Sequence, residues 1–413
     1  MTSSQDTAGR PVARRLSPEI IIIAGCTIAV LTFGPRSALG VFQMPVLKEF
    51  GWGSDVFSFA MAIQYLLWGA GQPFAGAMAD RYGSRPVLIV GTLLYIAGLV
   101  LMSVSTTPLT FTLTAGVLMG FGLSGCSFNL VIGAFSKLLP PERRSTAYGF
   151  GTAAGSFGQF LFSPFAGAMV GNLGWETTAL VFGGLMLAVI PLTAAVASTP
   201  MNQSAASGPP PQTFRQALAE AFGHRSYVLL VIGFFTCGFQ LAFVTIHFQK
   251  YVVESGLEPN VGYWAFALVG IFNMVGSFGA GWVGDRLPRP WVLSFIYLSR
   301  SLVTIVFISL PASPASAYAF GALSGLLWLS TVPPTSSLIG IMFGTRYMAT
   351  LYGFAFFSHQ VGGFVGLVLS GTIRETTGSY TLMWWASIAL GVASALINLP
   401  IVEKPVKRVA AAA

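Results

Sequence analysis

Long apolar runs alternate with short polar breaks from residue 18 to residue 402. Most runs have about 20 residues or more, the length that an α-helix needs to cross the hydrocarbon core of a bilayer. The pattern predicts an all-α membrane protein with twelve transmembrane helices, at 18–46, 55–79, 86–105, 108–136, 145–171, 177–199, 226–250, 261–284, 290–311, 314–343, 348–373 and 380–402.

One polar interval is much longer than the others. Residues 200–225 are rich in Ser, Pro and Gln and then become charged, and they divide the predicted helices into six and six. The predicted organisation is an N-terminal segment (1–17), a six-helix bundle (18–199), a linker (200–225), a second six-helix bundle (226–402) and a C-terminal segment (403–413).

The basic residues predict the orientation. Of the 21 Lys and Arg residues, Arg36 and Arg300 fall within predicted helices, and only Lys48, Lys250 and Arg374 lie in loops on one side. All the others lie on the opposite side, which the positive-inside rule assigns to the cytoplasm. Both termini and the linker are therefore expected in the cytoplasm, with the chain in a bacterial inner membrane.

Composition supports the membrane assignment. The 413 residues are 54% hydrophobic and 8% charged, whereas soluble domains carry roughly 25% charged residues. The net charge of +8 is spread over short loops, so it does not indicate nucleic-acid binding. The three cysteines fall inside apolar runs, which argues against disulfides and a metal site. No cofactor and no removable signal peptide are expected.

The two halves share short repeated sequences. GAMADRYGSRP at 76–86 recurs as GWVGDRLPRP at 281–290, and AYGF at 147–150 recurs as LYGF at 351–354, at offsets of 205 and 204 residues. Duplicated six-helix halves are typical of secondary transporters, which hold the solute between the halves near the bilayer midplane. The repeat predicts two pseudo-symmetric bundles.

Arg36 lies deep inside the first apolar run, beside Gly34 and Pro35. A charged side chain at that depth is costly and marks a functional site by default. Gly and Pro weaken the helix locally, which is tolerated where the backbone lines a cavity. The favoured interpretation is a cation facing a central solute path. The alternative is that Arg36 reaches a lipid headgroup or braces a neighbouring helix.

The stretch GAMADRYGSR resembles the signature loop between helices 2 and 3 of the major facilitator superfamily. The resemblance implies twelve helices, a monomer and a gate on the cytoplasmic side. In that gate Asp80 would cap a neighbouring helix or pair with an arginine across the bundle, and the alternative is a simple tight turn. The gating residues implied are Gly76, Asp80, Arg81, Gly83 and Arg85, with Asp285 and Arg286 in the repeat.

Within that superfamily the chain is similar to the monocarboxylate and oxalate/formate carriers. GPRSALGVF at 34–42 resembles the stretch whose helix-1 cation helps those carriers bind the anion, a role that falls to Arg36. The same carriers have an aspartate and an arginine one turn apart on helix 8. Asn273 and Ser277 occupy that stretch here, so the second carboxylate-binding group of these carriers is missing.

A shift of 204 residues pairs Arg36 with Gln240 and Gln43 with His247. An arginine binds a carboxylate at two points, and a glutamine both donates and accepts hydrogen bonds. Arg36 and Gln240 together suit an anion or a neutral solute rich in carbonyl groups.

Other polar side chains within apolar runs are candidates for the solute path, and the alternative for each is a hydrogen bond between helices. His359 is also a candidate proton carrier, since histidine changes charge near neutral pH. His247 is a further candidate, and Arg300 is interpreted as structural. The predicted solute-binding residues are Arg36, Gln240, Gln64, Asn129, Gln159, Asn273 and His359. Aromatic residues that could shape the cavity are Tyr65, Trp68, Phe235, Phe239, Phe243, Trp264 and Trp328.

No carboxylate lies in the middle of a predicted helix, so coupling to protons would need a histidine, an anionic solute or solute exchange. No phosphate-binding loop is present, which argues against an ATP-driven pump. The sequence predicts a secondary transporter, by symport or antiport, of a small organic anion such as a monocarboxylate, and not an enzyme. The alternative solute is neutral and partly aromatic, such as a riboflavin-like vitamin or an aromatic metabolite. A drug exporter and a non-transporting receptor are less favoured.

Overall fold

The computed structural model describes residues 16–198, 213–344 and 347–406, and within these ranges all regular structure is helical. Most of the N-terminal segment, the first part of the linker and residues 407–413 lie outside the described residues. The rest of the linker forms one short helix (α10) and part of the first turn of the next (α11).

In the first half of the chain, α1 is joined to α2 by a 3₁₀ turn at Leu39–Phe42, and a π-helical stretch at Thr112–Leu118 joins α5 to α6. The helices are α1 (Pro18–Ser37), α2 (Gln43–Phe50), α3 (Ser54–Tyr82), α4 (Ser84–Met102), α5 (Pro108–Phe111), α6 (Met119–Cys126), α7 (Phe128–Leu138), α8 (Pro141–Met186) and α9 (Val189–Leu192).

The second half begins with the short helix α10. Its helices are α10 (Phe214–Gly223), α11 (Arg225–Glu254), α12 (Pro259–Gly284), α13 (Arg289–Ser309), α14 (Pro314–Leu327), α15 (Val332–Phe343), α16 (Met348–Thr377) and α17 (Thr381–Asn398).

Among the described residues, ten helical spans are long and apolar enough to cross a membrane, compared with the twelve expected from the sequence. One of the ten, Ala147–Leu192, contains Gly174, whose φ of 82° interrupts the helix. At 1.5 Å per residue the 46 residues of α8 would extend about 69 Å, twice the thickness of a bilayer core. The helix α3 is not among the ten.

Prolines and glycines set many of the helix ends. Proline occupies the first turn of α1, α12 and α14, where its missing N–H costs no hydrogen bond. Gly51 and Gly378 follow α2 and α16 in the left-handed conformation, with φ of 66° and 71°, which glycine adopts without strain. These signals explain why the chain turns at these positions.

Glycines also allow neighbouring helices to approach closely. A Cβ atom at Gly238 of α11 would lie 1.6 Å from the carbonyl oxygen of His359 on α16. A Cβ atom at Gly276 of α12 would lie 1.8 Å from the carbonyl oxygen of Leu326 on α14. Small residues at such contacts are typical of membrane helices, because they let two backbones meet. The first contact holds α16 directly against α11, and the second holds α14 against α12.

The bundle has two ends that differ in charge. We call the end where α2 meets α3 the Lys48 end, and the end where α3 meets α4 the Asp80 end. Lys250 and Arg374 lie at the Lys48 end, whereas the described parts of both chain termini lie at the Asp80 end. Glu49 accepts a hydrogen bond from the Trp175 indole at 2.6 Å, which joins α2 to α8 within the first half at the Lys48 end.

Candidate functional site

Arg36 lies in the last turn of α1, immediately after Pro35, and its side chain is buried with 5% exposed. The helix ends at Ser37, whose hydroxyl donates to the Gly34 carbonyl at 2.7 Å. A 3₁₀ turn then carries the chain into α2. Gly34 and Pro35 therefore coincide with a change of helix type in the middle of a long apolar run, and the cation lies at that point.

Aromatic rings surround the guanidinium of Arg36. Its Cζ lies 4.3 Å from the ring centre of Tyr65 and 4.6 Å from that of Trp68, both on α3. The ring of Phe33 lies at 5.8 Å. The face of an aromatic ring attracts a cation through its quadrupole, an effect that strengthens when water is excluded. The rings therefore hold the guanidinium in the bundle without neutralising its charge.

No carboxylate of the described residues lies within ion-pair distance of Arg36, and its Nε is buried without a hydrogen-bond partner. A buried charge without a partner is strongly unfavourable. An anion bound beside the guanidinium would remove that cost, so the site is chemically suited to a carboxylate.

Among the other buried donors that lack partners, three are candidates for this site, namely Trp68 Nε1, Gln159 Nε2 and Gln360 Nε2. The indole of Trp68 is the same ring that contacts Arg36. The side chain of Gln360 lies against Gly69, one residue after Trp68. Such atoms usually have a protein or water partner. Since all three are hydrogen-bond donors, a ligand that satisfies them must supply acceptors.

Gln159 lies on α8 between the face that contacts α1 and the face that contacts α12. Gly158 on one side touches Val30 of α1, and Ser156 on the other side accepts a hydrogen bond from Asn273 of α12 at 2.8 Å. Residue 159 therefore lies on the part of the α8 surface between these two contacts, near the junction of α1, α8 and α12. Of the predicted polar residues outside α1, it has the position that best suits the solute path.

Two predicted site residues make hydrogen bonds between helices instead. Gln64 Nε2 donates to the Ala115 carbonyl at 2.8 Å. Asn273 donates to Ser156 and accepts from the backbone N–H of Leu329 at 2.9 Å. The structure brings neither side chain to Arg36, and both match the helix–helix alternative.

Gln240 also has its own partners. Its Nε2 donates to the Ser387 carbonyl at 2.8 Å, and its Oε1 accepts from Arg300 at 3.5 Å. Arg300 Nε donates to the Leu327 carbonyl at 2.9 Å, and its Nη2 donates to the carbonyls of Leu327 and Trp328. Arg300 thus caps the C-terminal end of α14, which is the structural role predicted for it. Gln240 and Arg300 line a small cavity of the second half.

The last two predicted residues lie in different environments. His359 is buried, stacks on Phe356 at 5.8 Å and shares a hydrogen bond of 3.0 Å with Gln360. Phe356 in turn contacts Trp68 at 5.5 Å, so His359 lies one ring away from the Arg36 site. Asn129 is half-buried in the first turn of α7 and makes no hydrogen bond to any described residue.

Phe356 and Gln360 belong to the surroundings of the site. Gln360 stands out as a polar residue beside His359 in an apolar run but was not among the predicted solute-binding residues, and Phe356 was not predicted from the sequence. The signal available was their spacing on α16, where 356, 360 and 363 share one helical face. The ring of Tyr65 lies 2.4 Å from where a Cβ atom at Gly363 would be. This face of α16 therefore packs along α3 beside Tyr65 and Trp68.

The signature loop lies at the Asp80 end. Asp80 pairs with Lys137 at 2.7 Å, within the first half, rather than with an arginine across the bundle. Gly83 makes the turn between α3 and α4 with φ of 89°. Asp285 pairs with Arg289 at 3.3 Å. The guanidinium of Arg81 lies over the Tyr82 ring, that of Arg286 lies over Trp282, Arg85 is exposed, and a Cβ atom at Gly76 would meet nothing within 4 Å.

At the Lys48 end, polar contacts join the two halves. Glu375 accepts a hydrogen bond from the backbone N–H of Ser54 at 3.0 Å, and Lys250 donates to the Ser54 hydroxyl. Lys250 and Arg374 both pair with Glu254, at 3.4 and 2.7 Å. Every ion pair of the described residues at the Asp80 end stays within one half. Within the described residues, hydrogen bonds and ion pairs therefore join the halves at the Lys48 end, and none joins them at the Asp80 end.

Comparison with known proteins agrees with this architecture. The family profile described as Major Facilitator Superfamily matches residues 24–367. The chain belongs to this superfamily. Its members are transporters, so this is a multi-pass membrane transporter and not an enzyme.

Two relatives match nearly the whole chain. Monocarboxylate transporter 13 of Rattus norvegicus is 26% identical over 389 residues, which cover 92% of this chain and 88% of that protein. The MFS-type transporter YcxA of Bacillus subtilis (strain 168) is 27% identical over 376 residues, covering 89% and 91%. The similarity to a protein named as a monocarboxylate transporter thus covers 92% of the chain.

Solved structures share the fold at lower identity. A D-xylose-proton symporter superposes with a TM-score of 0.76 at 16% identity, over 94% of this chain and 98% of that one. A bacterial homologue of the human lysosomal transporter Spinster, in an inward-facing and unoccupied conformation, superposes with a TM-score of 0.71 at 16% identity, covering 93% and 95%.

Proposed function

We propose that the chain is a secondary transporter of a small organic anion, most simply a monocarboxylate, and that Arg36 binds the carboxylate. The observation that carries the proposal is the buried guanidinium with no carboxylate beside it. An arginine fork matches a carboxylate at two points, and the Arg36 residue that supplies it is largely shielded from water. The similarity to proteins named monocarboxylate transporters supports the same class of solute.

Gln159, Trp68 and Gln360 would complete the binding site as donors to the solute. Each presents a buried N–H without a partner. His359 would act through Gln360, since the two side chains share a hydrogen bond. Gln64, Asn273 and Gln240 would support the helices around the site rather than touch the solute, and Asn129 would lie at its margin.

We further propose twelve transmembrane helices in two pseudo-symmetric bundles of six, over 18–199 and 226–402. Dividing α8 at Gly174 and adding α3 to the ten apolar spans gives this number. The distribution of Lys and Arg supports a bacterial inner membrane with both termini, 1–17 and 403–413, and the linker 200–225 in the cytoplasm. The transporter would work as a monomer.

Transport would follow from rocking of the two halves about the central site. Hydrogen bonds between the halves at the Lys48 end, and their absence among the described residues at the Asp80 end, fit a conformation open towards the Asp80 end. In the opposite conformation the loop of Gly76, Asp80, Arg81, Gly83 and Arg85, with Asp285 and Arg286, would close that end. Asp80 would then exchange Lys137 for a partner across the bundle.

A second candidate solute is neutral and partly aromatic, such as a riboflavin-like vitamin or an aromatic metabolite. The observation that favours it is the pair of rings, Tyr65 and Trp68, beside the guanidinium. A flat solute could stack on these rings and accept hydrogen bonds from the donors of the site. The two candidates differ in whether binding needs the charge of Arg36.

The test is ligand-induced thermal stabilisation of the purified protein in detergent. Monocarboxylates, dicarboxylates, aromatic acids and neutral vitamins would be compared on wild type, Arg36→Gln and Arg225→Gln. Arg225 is exposed at the start of α11, so its variant controls for the loss of one positive charge. A carboxylate should stabilise wild type and Arg225→Gln but not Arg36→Gln.

A neutral solute that stabilises all three proteins would overturn the anion proposal and favour the second candidate. Counterflow of the stabilising solute in proteoliposomes then separates a transporter from a protein that only binds. Saturable counterflow that Arg36→Gln abolishes is the result expected for the proposed function.

A further inference from the structure

His247 lies at the Lys48 end, on α11, and is fully buried with 0% exposed. Both ring nitrogens have partners on other elements. Nδ1 lies 2.8 Å from the hydroxyl of Tyr380 and 3.3 Å from Nε2 of Gln43, and Nε2 lies 3.0 Å from the hydroxyl of Ser58. Gln43 and Ser58 belong to the first half, and Tyr380 belongs to the second. This imidazole is therefore a hydrogen-bonded link between the halves.

The donors and acceptors of these partners fix the protonation of the ring. An amide nitrogen can only donate, so Gln43 Nε2 requires Nδ1 to be an acceptor. Tyr380, at 2.8 Å, then donates to the single lone pair of Nδ1, which the Gln43 amide shares at 3.3 Å, while Nε2 carries the proton and donates to Ser58. Ser58 in turn donates to the Ser54 carbonyl at 2.6 Å. When the imidazole is neutral, the hydrogens that Gln43, Tyr380, His247 and Ser58 direct into this network all have acceptors.

A second proton would break this arrangement. Placed on Nδ1, it would face the amide N–H of Gln43, and Tyr380 would have to turn its own proton away. To accept that proton, the Gln43 amide would have to reverse and offer Oε1, which would turn Nε2 to the buried position where Oε1 now has no partner. A buried imidazolium also lacks a carboxylate, because no acid of the described residues contacts it directly. The closed Lys48 end thus requires neutral His247.

Charged groups near His247 do not reverse this preference. Lys250, one turn along α11, adds positive charge, and Glu254 is already shared by Lys250 and Arg374. Glu375 accepts from the backbone of Ser54. At the Lys48 end, the titratable groups on the elements packed around His247 are Lys48 and Glu49 on α2, Asp55 on α3, Lys250, Tyr251 and Glu254 on α11, Arg374 and Glu375 on α16, and Tyr380 before α17.

We propose that His247 is a proton-binding site that couples protonation to separation of the two halves at the Lys48 end. Opening gives the imidazole access to water, where it takes a proton from solvent to become imidazolium. Closing requires that this proton be released. Histidine ordinarily changes charge near pH 6.5, so the closed population rises with pH through that range and falls as the pH drops.

The test measures the distance between the halves at the Lys48 end as a function of pH. Thr107 and Pro311 are both exposed in loops at that end. Spin labels at Thr107→Cys and Pro311→Cys would report the distance between the halves by double electron–electron resonance. A Cys26→Ala background suffices because Cys126 and Cys237 are buried. In wild type, the population with the longer distance should grow as the pH is lowered from 8 to 5. His247→Gln, which can still donate and accept, should lose this shift.

His224→Gln is the matched control, since it removes a half-buried histidine that precedes α11 at the Asp80 end of the second half and should keep the wild-type shift. Tyr380→Phe removes a donor to Nδ1 and weakens the closed state, so opening should begin at a pH higher by roughly half a unit to one unit. A pH-independent wild type, a full shift in His247→Gln, or an unchanged midpoint in Tyr380→Phe would overturn the proposal.

Discussion

Nε2 of Gln43 lies 3.3 Å from Nδ1 of His247, and the two residues are 204 positions apart in the chain. The same offset separates AYGF from LYGF. Two equivalent positions of a repeat that touch must lie near the axis relating the repeats. The contact therefore marks where such an axis would pass at the Lys48 end. Arg36 and Gln240, also 204 positions apart, have unrelated partners, so equivalent positions do not carry equivalent chemistry.

Replacing Arg36 with glutamine should weaken carboxylate binding at least tenfold, because loss of one partner of a buried charged pair costs about 2–5 kcal/mol. The same change should raise the melting temperature of the ligand-free protein, since it removes a buried charge that has no partner. Thermal shift with and without the carboxylate measures both effects. A lower melting temperature without ligand would contradict the idea that Arg36 is uncompensated.

Trp68→Phe keeps an aromatic ring beside Arg36 but removes the Nε1 donor. We expect solute affinity to fall about tenfold, since a hydrogen bond to a charged acceptor contributes roughly 1.5 kcal/mol or more. The melting temperature without solute should change little, because Nε1 has no partner to lose. Titration of the solute checks the affinity, and wild-type affinity in the variant would exclude Nε1 as a contact.

Asp80→Asn should slow transport several-fold with little change in stability. The pair with Lys137 is partly exposed, with 57% of the Asp80 side chain and 26% of the Lys137 side chain accessible, and exposed pairs contribute less than about 1 kcal/mol. Initial uptake rates in proteoliposomes, set beside melting temperatures, separate the two effects. Lys137→Gln, which breaks the same pair by removing the lysine charge, is the matched variant. Equal transport rates in wild type and Asp80→Asn would indicate that Asp80 belongs to a simple turn.

Arg300→Gln should destabilise the protein by about 3 kcal/mol, because it leaves the carbonyls of Leu327 and Trp328 without their donor at the end of α14. Arg300→Lys keeps the charge near that helix end and should recover part of the loss. Denaturant unfolding in detergent is the measurement. A variant with normal stability but no transport would instead place Arg300 in the solute path.

Gly238→Ala should lower the free energy of unfolding by about 2 kcal/mol, since its Cβ atom would lie 1.6 Å from the His359 carbonyl and force α11 away from α16. Gly353→Ala on α16 is the matched control. Its Cβ atom would meet nothing within 4 Å, and alanine favours helix by about 1 kcal/mol. Opposite changes in melting temperature are expected for the two variants.

The helical class and the exceptional position of Arg36 could be predicted because both follow from where apolar residues stop and a charge appears. The partner of each buried amide could not. Gln64 and Asn273 stand out in the sequence in the same way as Gln159, but their bonds go to Ala115 and to Ser156 on neighbouring helices. Which helix faces such a side chain depends on helix rotation, and a local sequence does not specify that rotation.

The aromatic surroundings of Arg36 were predictable only as a group of candidates. Tyr65 and Trp68 contact the guanidinium, but Phe243 packs on His247 and Trp328 lines the cavity of Gln240. A ring in an apolar run looks the same whether it packs or lines a path. The distinction comes from contacts across helices that are far apart in sequence.

The hydrogen bond from Ser54 to Glu375 gives α3 an N-terminal cap that its own sequence lacks. Gly53 precedes the helix and has no side chain to cap it, so a carboxylate of the other half satisfies the first exposed N–H. When the halves separate at the Lys48 end, α3 loses this cap, and its first turn becomes free to fray. The helix that carries Tyr65 and Trp68 would thus be anchored at its start only while the solute is shut off from that side.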